Sequence, residues 1–221
     1  MARVAPQPDK IPTPDRILDA AEALFAESGF DGVSLRKITS EAGVELALAN
    51  YHFGPKIELF RSVVKRRAAV INNERMALLN ALEPDADLGA VIEAFSVPFL
   101  ERSASGDSGW KNYARLIAQI ANSPRWANEI MSAEFDPVSE SLIKKVRVRF
   151  PRASVDNIYW SFHFLLGAMT ITFAETGRID ALSRGRCRAD QLEAIHARMV
   201  PFLAAGFRAI CEPGRTQRAK A

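Results

Sequence analysis

The chain has 221 residues, 48% of them hydrophobic and 25% charged, with a net charge of +3. These proportions are ordinary for a globular protein, and a chain of this length buries a core without stabilising disulfides or metals. The two cysteines, Cys187 and Cys211, form no metal-binding or C-x-x-C pattern. Their positions indicate neither a zinc site nor a disulfide framework, and they predict free buried thiols in a reducing cytoplasm. We expect no cofactor.

The N-terminal residues 1–13 lack an apolar run and predict a disordered arm rather than a signal peptide. A first helix should follow, with Thr13 as its N-cap and Pro14 in the first helical position. Its apolar residues recur at helical spacing, and Gly29 is placed to end it.

Residues 34–53 predict two short helices joined by a tight turn. Ser34 should start the first helix, Gly43-Val44 should form the turn, and the second helix should run from about Glu45 to Tyr51. This arrangement is the helix-turn-helix motif, which sets its second helix at a steep angle to the first. We expect the pair to be held together from inside by Ile38, Ala42, Val44 and Leu48. Gly54-Pro55 then breaks the chain before a long fourth helix that reaches about Leu82.

The outer face of the second short helix has the composition of a DNA-reading surface. Its small side chains let a helix enter the major groove, and an asparagine there pairs with adenine. The residues predicted to face the bases are Glu45, Ala47, Ala49 and Asn50. The residues predicted to bind phosphates around them are Ser34, Lys37, Tyr51, His52 and Lys56.

The segment 16–67 resembles the DNA-binding domain of the TetR family of bacterial repressors. The matching motifs are ILDAAEALFAESGF, SLRKI, AGV, and YHFGPK before ELF. The resemblance implies a nine-helix fold, a homodimer, a palindromic operator, and release of DNA on ligand binding. It also implies phosphate contacts from Tyr51, His52 and Lys56. One departure is that the reading helix has no Lys or Arg and begins with Glu45, so it cannot read guanine with an arginine.

The rest of the chain predicts further helices and no strand, and hence an all-α fold of about nine helices. We expect helices at about 88–103, 109–122, 124–149, 154–177 and 190–211, the last with a capping box of Asp190 and Glu193. The predicted domains are a three-helix DNA-binding domain at 14–60 and a ligand-binding and dimerisation domain at 61–212. A basic tail at 213–221 should be disordered.

Aromatic residues concentrate in the predicted ligand-binding domain. They form a core in the first instance, and lining a pocket is the alternative for part of the set. The candidate ligand-binding residues are Phe95, Phe99, Trp110, Tyr113, Ile117, Phe135, Trp160, His163 and Phe164. His163 is expected to be a core histidine, with a partner for a ligand carboxylate as the alternative. The stretches GWKNYARLIAQIANSPRW and FHFLLGAM are similar to repressors that respond to long-chain fatty acids, which implies a fatty acid or acyl thioester as effector.

Residues 157–174 contain no Asp, Glu, Lys or Arg, but their polar residues favour a buried helix over a membrane span. Apolar residues almost surround this predicted helix, so with the last helix it should form a homodimer interface. The chain has no G-x-S-x-G, P-loop or dinucleotide motif, so we do not expect an enzyme. The alternative to a DNA-binding regulator is an all-helical interaction adaptor.

Overall fold

The computed structural model describes residues 11–212, and the basic tail and nearly all of the predicted arm lie outside them. The helices are α1 (Thr13–Ser28), α2 (Leu35–Ala42), α3 (Leu46–Phe53), α4 (Lys56–Ala81), α5 (Leu88–Ala104), α6 (Ser108–Ala121), α7 (Pro124–Trp126), a π-helical turn (Ala127–Met131), α8 (Ser132–Arg149), α9 (Val155–Phe173), α10 (Arg178–Leu182) and α11 (Leu192–Cys211). Nine of these α-helices have seven or more residues, and residues 11–212 contain no strand. The all-α prediction is therefore confirmed.

Local signals placed several helix starts correctly and missed others. Ser34 Oγ accepts a hydrogen bond from the N–H of Lys37 at 3.2 Å, and Ser154 caps α9 in the same way. Thr13, in contrast, lies inside α1, whose N-cap is Pro12. The capping box predicted for the last helix is wrong, because Asp190 instead binds the guanidinium of Arg188 and α11 begins two residues later.

The end of α9 also differs from the prediction. The helix stops at Phe173, and Gly177, with a φ of 68°, precedes the short helix α10 instead of ending α9. The domain boundary predicted between residues 60 and 61 falls inside α4. The proposed domain limits therefore stay a prediction.

Helices α1–α3 pack around a small apolar core that includes Ile17, Phe25 and Ile38, none of which is exposed to solvent. Gly43 ends α2 in the left-handed conformation (φ 62°), which a glycine adopts without steric cost. The guanidinium of Arg16 in α1 donates to the carbonyls of Ala42 and Gly43 at 2.6 and 2.9 Å. A cation thus satisfies the carbonyls at the end of α2 and fixes the turn that sets the angle of α3.

A buried ion cluster joins α1 to α4. Glu22 is 1% exposed, and its carboxylate accepts from Arg67 at 2.6 Å and from Arg66 at 3.3 Å. Burial raises the pKa of Glu22, although both arginines oppose that shift. The Arg67 guanidinium also lies over the ring of Trp110 in α6, 4.6 Å from its centroid. The cluster therefore ties three helices together.

Two further hydrogen bonds join the N-terminal helices to α6. Gln119 Nε2 donates to the carbonyl of Ala26 at 2.7 Å, and the hydroxyl of Tyr113 donates to the carbonyl of Val64 at 3.3 Å. Burial raises the pKa of Tyr113 well above its usual value, so this hydroxyl stays protonated and can donate. The three-helix unit and α6 are thus packed directly against each other.

A buried arginine, Arg75, stabilises the C-terminal helices. Pro98 lies inside α5 and lacks the N–H that would bond to the preceding turn, which disturbs the helix there. Arg75 in α4 donates to the carbonyl of Phe95 in this turn at 2.6 Å, and its guanidinium lies 4.3 Å from the Phe95 ring centroid. Burial lowers the pKa of Arg75 to about 10, so it still carries its charge near neutral pH.

Of the residues described, α11 is the one helix whose length and mean hydropathy of 1.2 would allow it to cross a membrane. Met199, Leu203 and Phe207 on one side of this helix pack into the core of the protomer, as a core helix requires. The charge-free segment at 157–174 does not meet the same criterion.

We predict that Glu22→Ala lowers the free energy of unfolding by about 3–5 kcal/mol, because it leaves two guanidinium groups without their buried partner. Urea denaturation followed by circular dichroism measures this loss. Asp19→Ala is the matched control, since Asp19 is exposed and pairs with Arg66 at 2.8 Å. It should cost less than about 1 kcal/mol. Equal losses for the two variants would contradict the importance of the buried carboxylate.

Candidate DNA interface and ligand region

The outer face of α3 presents a mixed polar and apolar surface. Glu45, Ala47 and Asn50 are exposed, as predicted. Tyr51 is 83% exposed, and its ring lies 5.1 Å from that of the exposed His52. Ser34, the N-cap of α2, and Lys37, in its first turn, are exposed as well. The structure therefore places seven of the nine predicted DNA-contacting residues in solvent.

Ala49 was assigned to the wrong face of α3. It has no solvent exposure, whereas Leu48, which was expected to pack inside, is 40% exposed. The reason is the register of the helix: Leu46, Ala49 and Phe53 recur at helical spacing on the inner face. An alanine is needed inside because α3 lies close to α1 and α4, and Leu48 replaces it on the surface.

Lys56 has a structural role that the sequence did not reveal. Its ammonium donates to the carbonyls of Phe30 and Val33, both at 2.8 Å, and lies 4.0 Å from the Phe30 ring centroid. These contacts hold the loop between α1 and α2 against the start of α4. The phosphate contact predicted for Lys56 stays a prediction.

The nine candidate ligand residues fall into two separate groups. Six are buried and packed in the core: Phe95, Phe99, Trp110, Tyr113, Ile117 and Phe135. The other three lie together on the solvent side of α9, where Trp160 stacks on Phe164 at 5.9 Å and His163 contacts both rings. His163 is exposed, so the expectation of a core histidine is wrong.

A cavity of about 680 Å³ lies between the end of α9, α10 and α11, and none of the nine candidates lines it. It is bounded in part by the loop residues Arg186, Cys187, Arg188, Ala189 and Gln191. Cys187 lines it and is exposed, whereas Cys211 is buried, so the prediction of two buried thiols holds only for Cys211.

The helix-turn-helix unit, the exposed reading face of α3 and the large C-terminal helical region together define a DNA-binding transcriptional regulator. Residues 17–63 match the model of bacterial regulatory proteins of the tetR family, and residues 93–206 match that of the tetracyclin repressor-like C-terminal domain. The second match alone covers half of the chain. The chain belongs to the TetR family.

Two curated relatives are transcriptional regulators. One is IcaR of Staphylococcus aureus, the HTH-type negative regulator of the biofilm operon icaADBC. The chain is 25% identical to IcaR over 132 residues, and this aligned region covers 60% of the chain and 66% of IcaR. The other is FasR of Mycolicibacterium smegmatis, an HTH-type transcriptional activator. The chain is 28% identical to FasR over 102 residues, and this aligned region covers 44% of the chain and 46% of FasR. The chain thus spans just under two thirds of IcaR and less than half of FasR.

Solved structures share the fold. The fatty acid degradation regulator FadR from Bacillus halodurans superposes with a TM-score of 0.63 at 15% identity, over 89% of this chain and 97% of FadR. The hemolysin II regulator HlyIIR superposes with a TM-score of 0.57 at 21% identity, over 87% and 97%. These likenesses establish the architecture.

We predict that Lys56→Met destabilises the protein by about 1.5–3 kcal/mol, because two carbonyls lose a charged hydrogen-bond donor. Thermal and urea unfolding measure the loss. Lys65→Met, at an exposed position on the same helix, is the control and should change stability by less than about 0.5 kcal/mol. If Lys56→Met were as stable as this control, the structural role of the ammonium would be refuted.

Proposed function

We propose that the protein is a homodimeric repressor that binds a palindromic operator through α3 and leaves it when a small ligand binds the C-terminal helices. The observation that supports this best is the exposed face of α3 flanked by hydrogen-bond donors on α2 and at its own end. An all-helical adaptor without DNA binding would give this face no role. The predicted cytoplasmic location follows from the proposal, since the operator lies there.

Base and phosphate contacts are assigned to different residues. Asn50 reads an adenine edge, while Ala47 and Leu48, which the structure shows to be exposed, pack against thymine methyl groups. Glu45 faces the bases and accepts from a cytosine amino group. Ser34, Lys37, Tyr51 and His52 bind phosphates and fix the register of the helix. Lys56 supports these contacts indirectly, because it holds the start of α4 against the loop between α1 and α2.

The dimer is proposed to form through the solvent faces of α9 and α11. On α9, Trp160, Phe164 and Ile171 are each more than half exposed, and on α11 Phe202 is 72% exposed. A monomer rarely leaves such a row of large apolar side chains in water. Gly167 and Gly206 lie on the same faces, and a Cβ atom added at either would meet nothing within 4 Å. They leave room for a partner helix to approach closely.

A two-fold dimer of this kind buries the same surface on both protomers and presents two α3 helices to one side of a duplex. Two reading helices fit successive major grooves when they are about 34–36 Å apart, or somewhat more if the DNA adapts. Ligand binding changes this spacing by moving α4, which connects the reading unit to the C-terminal helices. The expected coupling is about 1–3 kcal/mol.

We predict that Asn50→Ala and Lys37→Ala weaken DNA binding in different ways. Asn50→Ala should cost about 1–3 kcal/mol at one base pair and relax the preference there. Lys37→Ala should weaken all duplexes alike and reduce the salt slope of binding by about one unit.

Fluorescence anisotropy with the DNA upstream of the gene and its point variants, at several salt concentrations, separates the two effects. Lys144→Ala, exposed on α8, is the control. Wild-type protein that binds no duplex more tightly than random DNA would favour the adaptor instead.

We predict that Gly167→Trp raises the dimer dissociation constant by about tenfold or more, because an overpacked interface costs about 1–3 kcal/mol. The protomer itself has space for the side chain, so its thermal stability as a monomer should not fall. Sedimentation velocity over a concentration series measures the constant, with Lys144→Trp as the control. Equal dimerisation of the two variants would place the interface elsewhere.

A further inference from the structure

The exposed faces of α9 and α11 have large aromatic side chains at one end and a cavity at the other. At the beginning of α9, Tyr159 and Trp160 are 52% and 57% exposed, and Trp160 stacks on Phe164. At the other end, Ile171 of α9 and Phe202 of α11 line the cavity of about 680 Å³ beside α10. Both ends belong to the face that the proposed function assigns to the dimer.

The two ends are equally far from Gly167, an exposed residue in the middle of α9. The aromatic end comprises residues 156–163, which lie four to eleven residues before this glycine. Residues 171–178 include the cavity lining at the other end, and they lie four to eleven residues after it. A two-fold axis that crosses α9 at Gly167 at a right angle therefore places the aromatic end of each protomer over the cavity of the other.

The second helix of this face follows the same division. Asn157 at the beginning of α9 donates to the carbonyl of Ile210 near the end of α11 at 2.8 Å, so the two helices are antiparallel. The small exposed residues Gly206 and Ala209 of α11 therefore lie towards the aromatic end, whereas Arg198 lines the cavity. The aromatic end thus has large side chains on α9 beside small ones on α11, a shape that a cavity can receive.

The two ends also differ in charge. Asp156 is exposed at the aromatic end. The charged residues that line the cavity are all cationic, and they are Arg178, Arg186, Arg188 and Arg198. Among the ion pairs of residues 11–212, only Arg188 of these four has a carboxylate partner, Asp190 at 2.7 Å. Opposite charges at the two ends favour an antiparallel contact between two copies of the chain.

We infer that the cavity receives Trp160 of the partner subunit, and that Asp156 of the partner subunit pairs with Arg198. The dimer interface then continues from α9 and α11 onto α10, whose Ile179 and Leu182 are at least half exposed in the protomer. An aromatic side chain that fills an apolar cavity is the desolvated contact typical of an interface hot spot. The inference rests on the dimer of the proposed function and not on its DNA binding.

Cross-linking tests the antiparallel register, since Cys187 lines the cavity and is exposed. Tyr159→Cys protein treated with the short cross-linker bismaleimidoethane should give covalent dimers on a denaturing gel, because the new thiol lies near Cys187 of the partner subunit. The matched control combines Tyr159→Cys with Cys187→Ser. It should give none, because the two copies of residue 159 lie more than about 20 Å apart across the axis. Covalent dimers that persist without Cys187, or their absence from Tyr159→Cys protein, would overturn the inference.

Charge exchange tests the ion pair. Asp156→Arg should raise the dimer dissociation constant by about tenfold or more, because it brings like charges together. Addition of Arg198→Asp to the same chain should restore the constant to within about threefold of the wild type, which damage to the fold would not do. Arg147→Asp, at an exposed position on α8, is the control and should leave the constant unchanged. A double variant no tighter than Asp156→Arg alone would overturn the pairing.

Sedimentation velocity over a concentration series measures these constants and separates the possible failures. A wild-type chain that stays monomeric would contradict the dimer of the proposed function and this inference together. A wild-type dimer that neither responds to Asp156→Arg nor cross-links through Cys187 would overturn this inference alone, and would leave the cavity to a small molecule.

Discussion

The buried carboxylate of Glu22 is the interaction on which the arrangement of the helices depends. A single charge, 1% exposed, is bonded to two guanidinium groups on α4, one of which also lies over Trp110 on α6. Desolvating a carboxylate is costly unless charged donors satisfy it, so the three helices must keep this geometry for the cluster to be stable. The cluster therefore holds α1 against α4 and α6.

In the proposed function, this constraint is the route by which a ligand bound to the C-terminal helices influences the DNA-reading face. Gln119 of α6 donates to the carbonyl of Ala26 in the reading unit, and Tyr113 of α6 donates to the carbonyl of Val64 in α4, the helix that follows α3. In the proposed mechanism, a shift of α4 or α6 displaces α3. Lys56 and Arg16 make the unit itself rigid by bonding to backbone carbonyls of its loops. The proposed two-state change in the spacing of the two α3 helices requires a DNA-binding unit that moves as a rigid body with α4 and α6.

The sequence predicts this fold well wherever the signal is local. The hydroxyl of Ser34 caps α2 by accepting from an N–H three residues later, and the left-handed conformation of Gly43 ends the same helix. Both effects depend only on neighbouring residues. The buried and exposed faces of a short helix are harder to predict. Because α3 has only eight residues, a one-residue error in its register exchanges the predicted positions of Ala49 and Leu48. Lys56 and Arg75 could not be placed, because their carbonyl partners lie 26 and 20 residues away in the chain. The cavity beside α10 was missed because that helix lies in a segment without clear periodicity.

The central claim is that two copies of the chain read DNA symmetrically through α3. Selection of tightly bound duplexes from a random-sequence pool, followed by sequencing, tests this claim whatever the operator sequence is. The account predicts an inverted repeat whose half-sites are centred about one helical turn apart or somewhat more, with an adenine specified in each half. Enrichment of a single asymmetric motif, or of no motif at all, would contradict it.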